Sequence, residues 1–435
     1  MSALPETHTA VVWHGPRDVR VEQVATPRLQ HADDAIVKVQ LAGLCGSDLH
    51  VFRGDEDVDE RHTCGHELIG IVVALGDSFV PDASESRPAL YRTLKVGDGV
   101  VCPFTVSCGE CEFCRLGQTQ RCIHSILLGQ PILPGAQAQY IRIPHAGGSL
   151  FALPPNLSQE LPAPALLLLA DILPTGLFVA TQALSHAKIA PVLTGTAWPP
   201  KLDGYFDSEV DAQAAIRTED RALQLAVVGL GPVGLCATFA LLDILSHLSV
   251  PYKLLAVDPN PVRRRKLESM LAVVSSSPSS PTSLGEIFLS DHMDARGIVK
   301  GWGRGGCHAV LEVVGNNSAL TTAMGLLAPA GVLSSCGVHQ APQVPFTGRE
   351  LYNANVTLEF GRCPVRALFP AALRLLRKRA DVLAQVGGTG LVERVVPLEN
   401  APEAYEKFDK GASVSAERRM NHNVQSTYAL SIGGI

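Results

Sequence analysis

Leu225-Ala226-Val227-Val228-Gly229-Leu230-Gly231-Pro232-Val233-Gly234 decides the fold of half this chain. Four apolar residues run straight into G-x-G-x-x-G, and an apolar stretch from Leu235 to Leu245 follows. A buried strand that enters a tight glycine turn and opens a helix has this form. The first glycine permits the turn. The second lets the backbone come close to a pyrophosphate, and the third lets the helix pack against the strand. Pro232 suits the first turn of a helix, where its missing N–H has no partner to lose. The run Ala222–Leu245 is also long and apolar enough to raise the question of a membrane span. Gly229, Gly231, Pro232 and Gly234 inside it, and Asp243 near its end, favour strand, turn and helix instead.

Downstream, Leu254–Val257, Ala309–Val313 and Val332–Ser335 read as further buried strands alternating with helical stretches. That alternation predicts a doubly wound parallel sheet. Asp258 ends the strand after the glycine turn, where a carboxylate accepts hydrogen bonds from ribose hydroxyls and repels a 2′-phosphate. The expected cofactor is therefore NAD, with Arg263 to Arg265 pulling slightly toward a phosphate. Upstream, residues 1 to about 150 carry short Val-rich segments broken by Gly, Pro and Asp. Ala35–Leu41, Glu67–Leu75 and Gly99–Pro103 read as strands. After about 345 short mixed elements return, including a helix expected at Phe369–Arg379. Ala190 to Arg221 and Ser275–Ser283 look like surface insertions, the second a mobile low-complexity loop. No internal repeat is visible. A β-rich domain thus begins the chain, is interrupted by a βαβ domain, and resumes.

The 435 residues are too many for one compact core, which agrees with two domains. Hydrophobic residues are 46% and charged residues 18%, a globular balance, and the net charge of −6 gives no reason to expect nucleic acid or an anionic membrane as partner. The N-terminus has neither a basic nor an apolar leader region. Eleven cysteines without a leader point to metal ligation and buried thiols in a reducing, cytoplasmic setting.

Cys108, Cys111, Cys114 and Cys122 follow C-x2-C-x2-C-x7-C, with Gly109 and Gly117 among them. Four thiolates in a tight loop suit a closed, structural zinc. Cys102 is surplus to that shell and is expected in the core. A second set is more dispersed. Cys45 lies in Gly43-Leu44-Cys45-Gly46-Ser47-Asp48-Leu49-His50, and His66-Glu67 follows Gly65. A catalytic zinc needs three protein ligands and an open position. Asp171, in the apolar stretch Leu166 to Gly176, is the best candidate for the third, because a buried carboxylate needs a partner. A helix cap or a buried ion pair is its competing reading.

Gly65-His66-Glu67, the four-cysteine lobe and the glycine fingerprint, in that order, resemble the zinc-dependent medium-chain alcohol dehydrogenases from about residue 10 to about 411. The resemblance implies an α/β fold: a GroES-like catalytic domain at 1–176 and 344–435, split around a Rossmann domain at 177–343. It implies zinc ligation by Cys45 and His66, with Glu67 close behind the metal and Asp48 orienting His66. Ser47 and His50 match a proton relay. Thr175 and Val338 match residues beside the nicotinamide, and Phe104 falls where substrate-pocket residues lie. Many members have cysteine as the third ligand. Asp171-Ile172-Leu173-Pro174-Thr175-Gly176 and Phe360-Gly361-Arg362-Cys363-Pro364-Val365-Arg366 look more like the glutathione-independent formaldehyde dehydrogenase branch. Two zinc ions per chain, NAD, a small alcohol or aldehyde, and a homodimer or homotetramer are the implied cofactors and partners.

That branch leaves two chemistries open, NAD-linked oxidation or aldehyde dismutation with NAD retained. A zinc- and dinucleotide-binding protein without turnover is the alternative from another class. The sequence leaves the family pattern at the end. Residues 412–435 begin as a polar tail where a β-branched strand is usual, so the sheet of the catalytic domain is expected to keep one edge unpaired. Tyr428-Ala429-Leu430-Ser431-Ile432 is the segment that could substitute.

Overall fold

A computed structural model describes residues 4–196, 216–276, 284–388, 390–410 and 428–432. Much of the first expected insertion, and nearly all of the second, lie outside those residues. The chain divides into two compact units, Met1–Pro174 with Pro364–Ile435, and Thr175–Cys363.

The first unit is built on strand Ala35–Leu44, whose inward residues Ala35, Val37, Val39 and Ala42 enter the core with Leu68, Val72 and Val100. Its antiparallel neighbours are Leu68–Leu75 and, along Ala35–Lys38, Tyr140–Ile143. Gly99–Cys102 and Phe151–Ala152 continue the sheet. Thr7–Gly15, Asp18–Ala25 and His62–Thr63 make a separate three-stranded sheet. Helix Ala401–Asp409 buries Tyr405 against Phe52, ring centroids 5.3 Å apart.

Among the described residues, the edge of strand Ala35–Leu44 expected to stay unpaired is paired. Leu41–Leu44 pairs in parallel with Tyr428–Ser431, and the same segment pairs on its other side with Val392–Pro397. Tyr428–Ile432 has strand composition and finds two open ladders, so a short segment returns although polar chain precedes it. Residues 412–427 of the tail lie outside the described residues.

The second unit is a six-stranded parallel sheet in the order Gly285–Ser290, Tyr252–Val257, Leu223–Val228, Cys307–Glu312, Leu327–Ser335 and Thr357–Phe360. The central strands are buried along nearly their whole length, which explains their unbroken apolar runs. The second domain boundary, expected between 343 and 344, falls between 363 and 364. Strand Thr357–Phe360 hydrogen-bonds to Val332–Ser335 and so belongs to this sheet.

The apolar run that raised the membrane question is strand Leu223–Val228, a glycine turn and helix Pro232–Leu248. Among the described residues no single helix is long and apolar enough to cross a membrane. One bent pair, Ala163–Ala170 with Ile172–Leu184, passes on length and composition together.

Candidate functional site

Strand Ala35–Leu44 delivers Cys45 as the N-cap of helix Gly46–Arg53. Glu67 stands opposite Gly43, whose N–H donates to the Glu67 carbonyl at 3.0 Å. A Cβ at Gly43 would lie 2.4 Å from Glu67 Oε2, so only glycine lets the two strands meet there. Asp171 sits where the helical turn Leu168–Ala170 ends. The backbone leaves helical geometry at φ −149°, ψ −75° before helix Ile172–Leu184 begins.

These three elements bring Cys45, His66, Glu67 and Asp171 together, one ligand atom from each lying within 4.8 Å of the others. Asp48 ties the group. One carboxylate oxygen accepts the Cys45 N–H at 2.8 Å, and the other lies 3.1 Å from His66 Nδ1. An ionised carboxylate can only accept, so in its neutral form His66 carries its proton on Nδ1 and presents a lone pair at Nε2. His66 Nε2 is 3.6 Å from Asp171 Oδ2 and 3.6 Å from Glu67 Oε1. Ligand atoms around a tetrahedral zinc stand about 3.4–3.7 Å apart.

The buried carboxylate of Glu67 tests whether a metal fits. It is fully buried, and among the described residues neither oxygen has a hydrogen-bond partner. Burial, and then the negative charge of Asp171, push it up to about 8. Burial pushes the Cys45 thiol up to about 11. Burial opposes the charge on His66, yet Asp48 and Asp171 hold its pKa well above the usual value. A site that holds protons in this way exchanges them for a divalent cation, which satisfies the orphaned oxygens as well. Zinc fits the thiolate, imidazole and carboxylate donors. Glu67, expected behind the metal, stands within the donor group itself.

Ser47 and His50 occupy the helix that Cys45 caps, three residues apart and so on one face. Ser47 is half-buried, and His50 Nδ1 lies 3.6 Å from Asp55. Phe104 is buried just after strand Gly99–Cys102.

The four-cysteine lobe is a second donor group. Cys108, Cys111, Cys114 and Cys122 place their sulfurs within 4.8 Å of one another, with 3.5 Å between Cys108 and Cys122 and 4.0 Å between Cys108 and Cys114. Backbone N–H groups of Glu110 and Cys111 point at Cys108 Sγ, and those of Cys108 and His124 at Cys122 Sγ, at 3.3–3.4 Å. Such donors favour thiolates. Gly109 and Gly117 adopt φ +76° and +80°, the left-handed turns the lobe requires. None of the eleven cysteines forms a disulfide, and Cys102 is a buried core thiol.

In the second unit Gly229 turns the chain at φ +99°, where a Cβ would strike Val314 at 2.5 Å. At Gly234 a Cβ would sit 1.8 Å from the Gly229 carbonyl, whereas Gly231 faces open space. Leu230 is buried, and helix Pro232–Leu248, with Val233 in its first turn, starts from Gly231. Asp258 is more enclosed than the ribose argument supposed. It is 1% exposed and accepts N–H groups from Leu230 and Asn260, both at 2.8 Å. Arg263 lies 3.3 Å from it, so this arginine neutralises the carboxylate that fixes the glycine turn. Thr175 is buried and Val338 is 44% exposed beside Gly315.

Three supports escaped sequence reasoning. Gln137 donates to the Gly43 carbonyl at 2.9 Å and accepts from Tyr405 at 3.0 Å, bracing the strand behind Cys45. Arg366, against the lobe, donates to the Gly148 carbonyl at 2.7 Å and lies over Phe151. No local motif marks Gln137 or Tyr405, and the motif that contains Arg366 does not give its bracing role, because the partners are distant in sequence.

Residues 31–155 match the alcohol dehydrogenase GroES-like domain. Zinc-type alcohol dehydrogenase B of Aspergillus flavus is 36% identical over 92% of this chain and 78% of its own length. Formaldehyde dismutase of Pseudomonas putida is 24% identical over 93% of this chain and 95% of its own. Among solved structures, alcohol dehydrogenase TADH from Thermus sp. ATN1 aligns with a TM-score of 0.67 at 28% identity, covering 98% of this chain and 99% of that one.

Proposed function

The chain belongs to the zinc-type alcohol dehydrogenase family, and on that premise we propose that it transfers hydride between a small alcohol or aldehyde and NAD. The observation that carries the proposal is the Cys45–His66–Asp171 group, with Asp48 fixing His66 in the metal-binding tautomer. The same reading gives two zinc ions per chain, one in each donor group.

Cys45, His66 and Asp171 would hold the zinc of the open site. That ion supplies a Lewis acid, which lowers the pKa of a substrate hydroxyl. Cys45 brings one negative charge and Asp171 another, so the protein offsets the charge of the cation. Glu67, whose oxygens meet no hydrogen-bond partner among the described residues, would be a further donor beside the ion. Ser47 accepts the hydroxyl proton at its Oγ as it passes its own proton on, and His50, with Nδ1 3.6 Å from Asp55, is the base through which a proton leaves to solvent. The glycine turn at Gly229–Gly234 and the helix start at Gly231 hold the pyrophosphate of the dinucleotide, the hydride acceptor. Asp258 favours NAD over NADP by its charge near the ribose, although its two backbone bonds limit how far it reaches the hydroxyls.

The experiment is NADH formation from NAD, with NADP in parallel, across primary and secondary alcohols, and the reverse with aldehydes. NAD-linked turnover that NADP does not support is expected. Aldehyde consumed to equal alcohol and acid without net NADH would move the assignment to dismutation. No turnover with any substrate by fully zinc-loaded protein would overturn it.

A further inference from the structure

We propose that His339 binds the carboxamide of the nicotinamide ring, with its Nδ1 accepting the amide N–H. The inference rests on the dinucleotide reading above and adds a residue and a proton position to it.

Three side chains at the carboxyl ends of neighbouring strands form a hydrogen-bonded chain. Glu312 ends strand Cys307–Glu312 and is fully buried. Ser335 ends strand Leu327–Ser335 and is 1% exposed. Glu312 Oε1 accepts the N–H groups of Val314 and Gly315, both at 2.8 Å, which fixes the carboxylate. Ser335 Oγ donates to Glu312 Oε2 at 2.7 Å. His339 Nε2 lies 2.8 Å from Ser335 Oγ and 3.3 Å from Glu312 Oε2.

The direction of this chain follows from valence. A carboxylate has no proton to give, so the single hydroxyl proton of Ser335 goes to Glu312. Ser335 can then only accept from His339, and Nε2 must be the protonated nitrogen. In the neutral ring the lone pair is therefore on Nδ1. Among the described residues that atom is buried with no hydrogen-bond partner. A buried acceptor without a donor is costly, so a ligand N–H that reaches it would be favoured.

His339 stands at the carboxyl edge of a parallel sheet, where ligands of doubly wound folds bind. Gly229 packs on Val314, and Gly315 packs on Val338, so the glycine turn and the His339 loop adjoin along that edge. Strand Leu223–Val228 is two ladders from strand Leu327–Ser335, about 10 Å. Val314, Val338 and Phe360 expose apolar surface there, at 42%, 44% and 42%, and Phe360 meets the His339 ring edge-on at 5.1 Å. Apolar surface for a flat ring and one fixed acceptor match an aromatic carboxamide, which offers an N–H donor on a planar ring.

Two measurements test this. In protein labelled with 15N-histidine, long-range correlations at neutral pH report which nitrogen carries the proton. The resonance lost in His339→Phe assigns the ring. Protonated Nε2 is expected, with the preference lost in Ser335→Ala. A ring protonated on Nδ1 would overturn the proposal. The second measurement compares affinity for NADH with that for its acetylpyridine analogue, which has a methyl in place of the amide nitrogen. ADP-ribose, which has no nicotinamide, serves as the control for a folded site. The parent should favour NADH roughly tenfold, the worth of one hydrogen bond. His339→Phe should bring that ratio near one while ADP-ribose binds as before. An unchanged ratio would overturn the role of His339 and leave the dinucleotide reading intact. A parent that binds none of the three ligands would overturn both.

Discussion

Replacing Asp48 with Asn changes one heavy atom and tests the logic of the open site. Asp48 now accepts from two donors, the Cys45 N–H at 2.8 Å and His66 Nδ1–H at 3.1 Å. An asparagine has one acceptor and one donor end. The backbone N–H of Cys45 cannot change role, so the amide oxygen must face it. The amide nitrogen then faces His66 Nδ1, and the two are compatible only if His66 moves its proton to Nε2. That is the nitrogen needed for the metal. Loss of such an orienting carboxylate typically costs 10–100-fold in metal affinity, about 1.4–2.7 kcal/mol. Asp48→Asn should lie at the upper end, and should be at least as damaging as Asp48→Ala, which leaves His66 free to choose its tautomer. Zinc affinity by competition with a chromophoric chelator, with total zinc by elemental analysis, reads the effect. The expected result is one tightly held zinc per chain in place of two. If Asp48→Asn holds both with parental affinity, or is clearly milder than Asp48→Ala, the tautomer argument is wrong.

Other expectations follow from the same geometry. Asp171→Ala should lose one zinc and NAD-linked activity while the four-cysteine lobe keeps its metal; a variant with both metals would make Asp171 a cap or ion-pair residue. Cys108→Ser should lower the unfolding midpoint by several degrees, since metal binding at such a lobe is folding energy; an unchanged melt would remove the structural role. Asp258→Ser should narrow the preference for NAD but also loosen the glycine turn, so affinity for ADP-ribose should fall with it; a parent that uses NAD and NADP equally would contradict the reading. His308 is buried, accepts the Gln224 N–H at Nδ1, and is pushed down to about 4 by burial and then by Arg304. Its folded pKa lies below the unfolded value, so it adds stability above about pH 6.5 that is lost as pH falls toward 4. Denaturant midpoints at pH 7 and pH 5 should differ less in His308→Gln than in the parent; an equal difference would place the titration elsewhere.

The parallel sheet was legible because its strands are buried on both faces and written as unbroken apolar runs, with the glycine turn as an anchor. The donor residues were legible for a different reason. Four close cysteines carry their own signature, whereas Cys45, His66 and Asp171 are each weak signals alone and are joined by the family resemblance. What stayed hidden depended on contacts between distant segments. Thr357–Phe360 is too short to read as a strand until Val332–Ser335 offers it a ladder, and the second boundary was placed too early for that reason. Tyr428–Ile432 pairs only because two strands leave room for it, so the gap expected beside strand Ala35–Leu44 is filled. Asp258 was read as a ribose ligand from its place after a strand, while its bonds to Leu230 and Arg263 needed the folded turn. The bracing roles of Gln137, Tyr405 and Arg366 carry no signature, since bracing a site requires only reach and a polar end.

The central claim is that zinc on Cys45, His66 and Asp171 makes this chain an NAD-linked alcohol or aldehyde oxidoreductase. Stepwise return of zinc to chelator-stripped parent and Asp171→Ala protein, with zinc content and NADH formation followed together, tests it most directly. The parent should take up two zinc ions and gain turnover only as the second, open-site ion loads, while Asp171→Ala should stop at one and stay inactive. Turnover by the zinc-free parent, or full activity in Asp171→Ala, would contradict the account.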